Sequence, residues 1–335
     1  MMGPKQTFEA HFLNVGHGDC TVLHHPGDER HPDGRVSVVD IHERKDRESD
    51  VAGLSAFLKD LFGSSHPESE EEYARRYLND PIKYVNNNID DGGRGAWRFV
   101  ATHPDMDHLS GLARLDDEFG IEVVWDTFHA KTLSADQDEW PERFDPIDWV
   151  RYEKIRHGKT DHHYIQPTKG TKTSTWADDD IDILHPSPAY IQQLNAKHED
   201  TSTANYNDLS YVLKVNTPAG GILLPGDLES ADAWERMLDY AEEELADVRV
   251  LKAAHHGREN GFNSEAVRRI DPDYVIVSVG KKTGQDALAK YNRICGSETE
   301  IYSTRQHGRL KVTVTEDGEL DLEPEYPNGI FQLPE

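Results

Sequence analysis

The sequence predicts an α/β fold, a sandwich of two mixed sheets with helices outside them. Three observations predict it. Short apolar runs that read as strands cluster toward both ends of the 335 residues. Segments with apolar residues at helical spacing lie between them. Three of the apolar runs also end in His or Asp side chains, as strands do when they deliver a polar site at their ends. A chain of this length buries a sizeable core, so a single domain over 1–335 is expected, with surface insertions at about 63–95 and 120–180.

Residues 8–15 and 20–24 read as paired strands around a Gly-rich turn, and 36–41 as a third strand. Val51, Leu54, Leu58 and Leu61 fall at helical spacing. The chain then turns polar, through Ser64-Ser65-His66-Pro67-Glu68 and Asn86-Asn87-Asn88, which marks an insertion with a short helix at 73–78. Trp97-Arg98-Phe99-Val100 is strand-like, and a helix is expected to begin in His108-Leu109-Ser110-Gly111-Leu112. Runs 209–215 and 222–224 flank a Pro-Ala-Gly-Gly turn and read as a hairpin. Trp234, Leu238, Ala241 and Leu245 mark an acidic amphipathic helix whose apolar stripe belongs to the core. Late strands are expected at 248–253, 274–279, 300–304 and 310–315.

The chain carries 36 Lys and Arg against 63 Asp and Glu, a net charge of −27. That balance excludes a protein whose whole surface grips nucleic acid. The charge is unevenly spread, however. Residues 151–172 hold Arg151, Lys154, Arg156, Lys159, Lys169 and Lys172 against Glu153 and Asp161, and 249–311 hold twelve basic residues against seven acids. Such segregation would focus an anionic substrate, at the extreme a single-stranded nucleic acid, onto one face. Only Cys20 and Cys295 are present, no signal-like apolar run follows Met1-Met2-Gly3-Pro4, and no stretch approaches the roughly 20 apolar residues of a membrane span. A cytoplasmic protein with reduced thiols and no membrane contact is expected. The sequence names no protein partner.

The most informative run is Ala101-Thr102-His103-Pro104-Asp105-Met106-Asp107-His108, which places His103, Asp105, Asp107 and His108 directly behind a strand. In an extended strand end His103 and Asp105 point the same way, while Asp107 and His108 reach a second position a few ångströms off. One loop can thereby serve two cations. Ile222-Leu223-Leu224-Pro225-Gly226-Asp227 and Val250-Leu251-Lys252-Ala253-Ala254-His255-His256-Gly257 end apolar runs in the same manner.

Together with His11-Phe12-Leu13-Asn14-Val15-Gly16-His17-Gly18-Asp19-Cys20, Leu184-His185-Pro186 and Asn207-Asp208-Leu209-Ser210, these runs resemble the metallo-β-lactamase fold superfamily. They are most similar to its ComEC-like branch, named for the hydrolase domain of a bacterial DNA-uptake channel, and the matches follow the family order over nearly the whole chain. The channel itself has no counterpart here. The resemblance implies a four-layer αββα sandwich. It also implies two divalent cations, Zn²⁺ and/or Mn²⁺ with Mg²⁺ admitted, since oxygen donors harden the site. His103 and Asp105 would hold one ion, Asp107 and His108 the other, with Asp227 bridging and His255 the last ligand. Asp107, Asp227 and His256 would carry catalysis, His256 from beside the metals and not as a ligand.

Asn14, His17, Asp19 and Asn207 are further metal or substrate contacts by the same resemblance. Asp40 would orient a ligand, and Lys281, Lys282 and Arg305 would bind substrate. The sequence departs from relatives at Asp105, where many carry His, and at His42, where relatives carry Gly. It departs again at Lys281-Lys282-Thr283-Gly284-Gln285, where relatives tend to have Gly-His-Pro. The function expected is a metal-dependent hydrolase, foremost a phosphodiesterase or nuclease using a metal-bound hydroxide. A hydrolase of a small ester, lactone or nucleotide, or a regulatory module with an inert metal site, is the alternative. Metal content separates the module from the enzymes, and activity on single-stranded DNA separates the nuclease from the rest.

Overall fold

The computed structural model describes residues 7–43, 76–89, 93–133, 140, 144–172, 179–197, 205–280 and 287–330. One sheet contains β1 (Phe8–Phe12), β2 (Thr21–His24), β3 (Val36–Val39), β4 (Ala96–Val100), β5 (Ile121–Trp125), β6 (His163–Ile165), β13 (Leu310–Val314) and β14 (Leu320–Pro324). Its order is β14-β13-β1-β2-β3-β4-β5-β6. The second sheet contains β7 (Ile181–His185), β8 (Val212–Thr217), β9 (Gly220–Leu224), β10 (Val248–Lys252), β11 (Tyr274–Val277) and β12 (Glu300–Ser303), in the order β12-β11-β10-β9-β8-β7. Strands β3 to β6 run parallel, as do β9 to β12. The remaining neighbours are antiparallel.

Helices α1 (Pro81–Asn88), α2 (Leu112–Glu118) and α3 (Pro146–Arg156) cover the first sheet. Helices α4 (Pro188–Lys197), α5 (Ala231–Tyr240), α6 (Glu242–Leu245), α7 (Ser264–Ile270) and α8 (Leu288–Ile294) cover the second, and a single turn, α9 (Thr304–His307), follows β12. Local sequence sets these starts. Asp80 and Asp145 cap α1 and α3 just before a Pro at the first helical position, and Ser230 and Asn263 cap α5 and α7 through their side chains.

Three apolar cores fill the layers. Phe12, Leu23, Val100 and Trp125 from the first sheet meet Leu213, Ile222, Val250 and Ile276 from the second. Val38, Phe99, Ile82, Leu112 and Trp149 pack between the first sheet and its helices, and Leu223, Leu251, Trp234, Met237 and Val267 do so on the other side. The result is the four-layer αββα sandwich. Tyr211 fastens the two sheets, since its backbone N–H donates to Thr102 O and its hydroxyl donates toward Asp126 O at 2.6 Å.

Several elements differ from expectation. Within 120–180, β5, β6 and α3 are integral to the first sheet and its cover, and within 63–95 α1 buries Ile82 and Val85 in the core. Residues 51–61 and 73–75 lie outside the described residues, and 76–77 are helical. The helix after the His103–His108 run begins only at Leu112, because 105–110 form turns and Gly111 sits at φ 103°. The run at 300–304 leaves the sheet after Ser303 and turns into α9. Strands β5, β6, β7 and β14 and helices α1, α3, α4, α7 and α8 had no counterpart in the sequence reading. Both cysteines are free thiols, and no described helix is long and apolar enough to cross a membrane.

One buried ionic cluster also ties the sheets. Asp179 accepts from Arg35 Nε at 2.6 Å and from Arg98 at 2.8 Å, while Arg98 reaches Ser37 Oγ and stacks over the Trp125 ring. Burial would raise the Asp179 carboxyl, but His25, Arg98 and Arg35 outweigh it and hold it below its ordinary value. Removing one partner strands the others, so Asp179→Asn should cost about 3–5 kcal/mol in urea unfolding at pH 7. The folded carboxyl is the depressed one, so its stabilisation is complete above the unfolded pKa near ~3.9 and fades below it. Parent and variant should therefore converge as the pH falls below about 4; a gap that stays constant down to pH 3 would remove the carboxylate from the explanation.

Candidate metal centre

The two sheets meet where β4, β9 and β10 end, and each of these ends carries donors. His108 follows β4, Asp227 follows β9, His255 and His256 follow β10, and Asp19 comes from the loop between β1 and β2. Asp19, His108, Asp227 and His256 are all buried, and each offers an atom within 4.8 Å of the others, which is a group that can hold a metal ion. Asp227 Oδ2 is the hub. It lies 3.3 Å from His108 Nε2, 3.3 Å from His256 Nε2 and 3.6 Å from His255 Nε2.

Backbone geometry makes this convergence. His255 and His256 both adopt left-handed conformations, φ 49° and 53°, which non-glycine residues reach only with strain. The turn sends His255 to Glu229, 2.9 Å away, and His256 to Asp227, with Asp107 Oδ2 at 3.7 Å. The sequence argued that His256 would stay out of the ligand set; the left-handed pair instead brings its ring among the donors. Gly18 has the companion role, for a Cβ there would lie 2.3 Å from His42 Cγ and 2.7 Å from Asp107 O. Its absence lets the loop rest on Asp107, so that Asp19 N–H donates to Asp107 O and the Asp19 carboxylate enters the group. His42 thus packs where Gly18 leaves room.

Supporting residues fix the rings. Asp40, at φ 56°, accepts from Thr102 N and Thr102 Oγ1 at 2.8 Å each, and its Oδ2 lies 2.8 Å from His108 Nδ1. That contact turns His108 Nε2 toward Asp227. Ser210 Oγ accepts from Asp227 N, and Asp208 accepts from Glu229 N and Ser230 N, so the 207–210 turn sits under the hub. His185 belongs to this floor and not to the donors. Its Nε2 lies 2.9 Å from Asp208 O, and burial lowers its pKa to about 4.

Electrostatics favour charged carboxylates facing cations. Burial would raise Asp227, but His256 and His108 hold it well below the usual carboxylate range. Burial would lower His108 and His256, yet Asp227 leads the carboxylates that raise both well above the ordinary imidazole value. Even so, His103 Nε2, His108 Nε2, both His256 nitrogens and Asp227 Oδ1 are buried without a hydrogen-bond partner. Buried polar atoms are rarely left this way. Imidazoles and carboxylates converging this closely become, once the rings give up their protons, the donor set of a divalent cation, and the residues fit one.

The other expected residues are placed as follows. The His103 ring lies 4.2 Å from that of His108, and its Nε2 is 3.9 Å from Asp105 Oδ2. Asp105 is about one-third exposed, pairs with Lys131, and lies outside the buried group. Asn207 donates to Glu229 Oε2 and keeps a buried, unpartnered Oδ1. Asn14 turns away to Tyr77 O and Asn79. His17 meets Arg258 at 2.9 Å, with its ring 5.5 Å from His256. Arg305 is buried, at 3% exposed, and Lys281 and Lys282 lie outside the described residues.

Sequence reasoning passed over Lys252, Glu229 and Lys131. Lys252 is buried and pairs with Asp19; its signal was a charge directly after Val250-Leu251 and before Ala253-Ala254. Glu229 gathers His255, Asn205, Asn207 and Asn260. Only its place two residues after Asp227 pointed to it.

No protein-family model and no curated protein matches the chain. Among solved structures it is similar to Igni18, a metallo hydrolase from the hyperthermophilic archaeon Ignicoccus hospitalis KIN4/I, at 10% identity and TM-score 0.40, over 94% of this chain and 98% of that one. It is also similar to CmlA, a diiron β-hydroxylase from Streptomyces venezuelae, at 12% identity and TM-score 0.45 over 92% of this chain. The match spans 54% of the hydroxylase, about half its length.

Asp227→Asn and His256→Ala should each lower metal retention on elemental analysis after dialysis, with the circular dichroism spectrum unchanged. Asp40→Asn should weaken metal affinity about 10–100-fold by loosening His108. His185→Ala should leave the metal content alone. Retention of full metal by His256→Ala would return that residue to the role the sequence gave it.

Proposed function

We propose that the protein is a divalent-metal-dependent hydrolase acting on phosphodiesters, in keeping with its resemblance to the ComEC-like branch. The observation that carries this reading is the buried group of Asp19, His108, Asp227 and His256, whose donor atoms converge within 4.8 Å at the meeting of the two sheets. A divalent ion bound there supplies Lewis acidity and lowers the pKa of a bound water toward about 7. The chain's own residues do the rest. Asp40 and Glu229 hold the His108 and His255 rings in place, and Asp227 keeps its negative charge between them. Arg258, beside His17 and His255, puts a guanidinium next to the donors, which suits an anionic phosphodiester over a neutral ester.

A specific observation favours a small phosphodiester, of nucleotide size, over a long single strand. Much of the basic run at 151–172 is already neutralised within the chain. Arg151 pairs with Asp116 and Asp117, Arg156 with Asp126 and Glu153, and Lys172 with Asp182.

The test is the Mn²⁺- or Zn²⁺-loaded protein on a panel of bis(p-nitrophenyl) phosphate, cyclic and linear dinucleotides, single-stranded DNA and RNA, p-nitrophenyl esters and lactones. Phosphodiester turnover that disappears with chelator and in Asp227→Asn is expected. Turnover of esters or lactones alone moves the assignment to those substrates, and an inert, fully metallated protein moves it to a regulatory module. Lys154→Gln with Lys159→Gln should leave turnover of the small phosphodiester unchanged. On single-stranded DNA, a salt slope flattened by about 0.7 per lost contact would restore the polyanion reading.

A further inference from the structure

A cation stands where the sequence expected only ligands. Lys131 Nζ pairs with Asp105 Oδ1, and its side chain is only 11% exposed. The other carboxylate oxygen of Asp105 lies 3.9 Å from His103 Nε2, a fully buried nitrogen without a hydrogen-bond partner. His103 and Asp105 thus flank a position next to the buried group, and one of its two donors is already spent on an ammonium.

Lys131 is built into that place. Its backbone N–H donates to His129 Nδ1 at 3.0 Å, and His129 Nε2 lies 2.6 Å from the Tyr152 hydroxyl, which donates to Asp126 Oδ1 at 2.6 Å. A backbone amide can only donate, so Nδ1 accepts and the ring carries its proton on Nε2. The chain of bonds therefore runs one way, from Lys131 N–H to the Asp126 carboxylate. Asp126 also takes Tyr164 at 2.8 Å and Arg156 at 3.2 Å, and the His129 ring lies parallel to Tyr152. These bonds hold the segment after β5 and deliver Lys131 to Asp105.

We propose that Lys131 is a built-in competitor for the position beside His103 and Asp105, so that the centre takes its ions unequally. The buried group meets an ammonium at only one of its four residues, Lys252 on Asp19, and keeps His108, Asp227 and His256 for a divalent ion. An ion beside His103 and Asp105 finds the carboxylate shared with the ammonium, which holds Oδ1 and repels the ion, and full use of both oxygens requires displacing it. Breaking a charge-assisted pair weakens that second site by about ten- to a hundredfold relative to one without the lysine. This inference rests on the metal-centre reading above and adds to it an order of filling and the residue that sets it.

The test is a calorimetric titration of chelator-stripped, full-length protein with Mn²⁺, with electron paramagnetic resonance counting the free ion. Two classes of site are expected, one tight and one weak. Lys131→Met should tighten the weak class about ten- to a hundredfold and leave the tight class alone, whereas Lys131→Arg, which keeps the charge, should leave it weak. Asp105→Asn should abolish the weak class only. Circular dichroism checks each fold, and Lys131→Gln replaces the methionine variant if that one is perturbed. Two equal sites in the parent, or a weak class unchanged by removing the lysine charge, overturn the role of Lys131 and leave the hydrolase reading standing. A parent that binds no Mn²⁺ overturns both.

Discussion

The Asp227 carboxylate is the constraint on which the rest depends. A carboxylate this deeply buried is costly unless cationic groups and donors surround it. Here His108 comes from one sheet and His255 and His256 from the other. The strained backbone at 255–256, the glycine that lets the 16–19 loop rest on Asp107, and the Asp40 contacts that aim His108 all converge on this one oxygen. Each is a local cost that makes sense only if the convergence is the purpose of the arrangement.

Much of this architecture was legible in the sequence. Short apolar runs located nearly all the strands that frame the site, because a strand buried on both faces writes itself as a continuous apolar segment. Strands β7 and β14 and the cover helix α4 were not legible. Charged and polar residues punctuate them, as in Leu320-Asp321-Leu322-Glu323-Pro324, where a strand at the sheet edge buries few side chains. The 120–180 region looked like surface because its polar residues satisfy one another inside: Asp126, Tyr152, Tyr164 and Arg156 form a buried network that composition reads as exposed.

At the site, residue types were legible and directions were not. The runs holding His103–His108, Asp227 and His255–His256 stood out because ligand-type side chains rarely terminate three apolar strands by chance. Where two adjacent histidines point depends on backbone angles that no spacing rule supplies, and the left-handed pair at 255–256 sets both rings near Asp227. Partners far apart in sequence were equally hidden. Lys131 reaches Asp105 across 26 positions, and Lys252 reaches Asp19 across 233. The same limit applies to the basic patch, whose Arg151 finds Asp116 and Asp117 only once α3 packs beside α2.

The donors' origin in two different sheets gives the centre a mechanical meaning. His108 stands on the eight-stranded sheet and Asp227 and His256 on the six-stranded one, so an ion held by all three is a clasp across the central seam of the sandwich. A ligand that binds only the folded form adds its binding free energy to stability, about 2.7 kcal/mol at a hundred times its dissociation constant. Opening that seam, by heat or by denaturant, then becomes the same event as releasing the ion. The durability of the fold and the readiness of the site are set by one equilibrium.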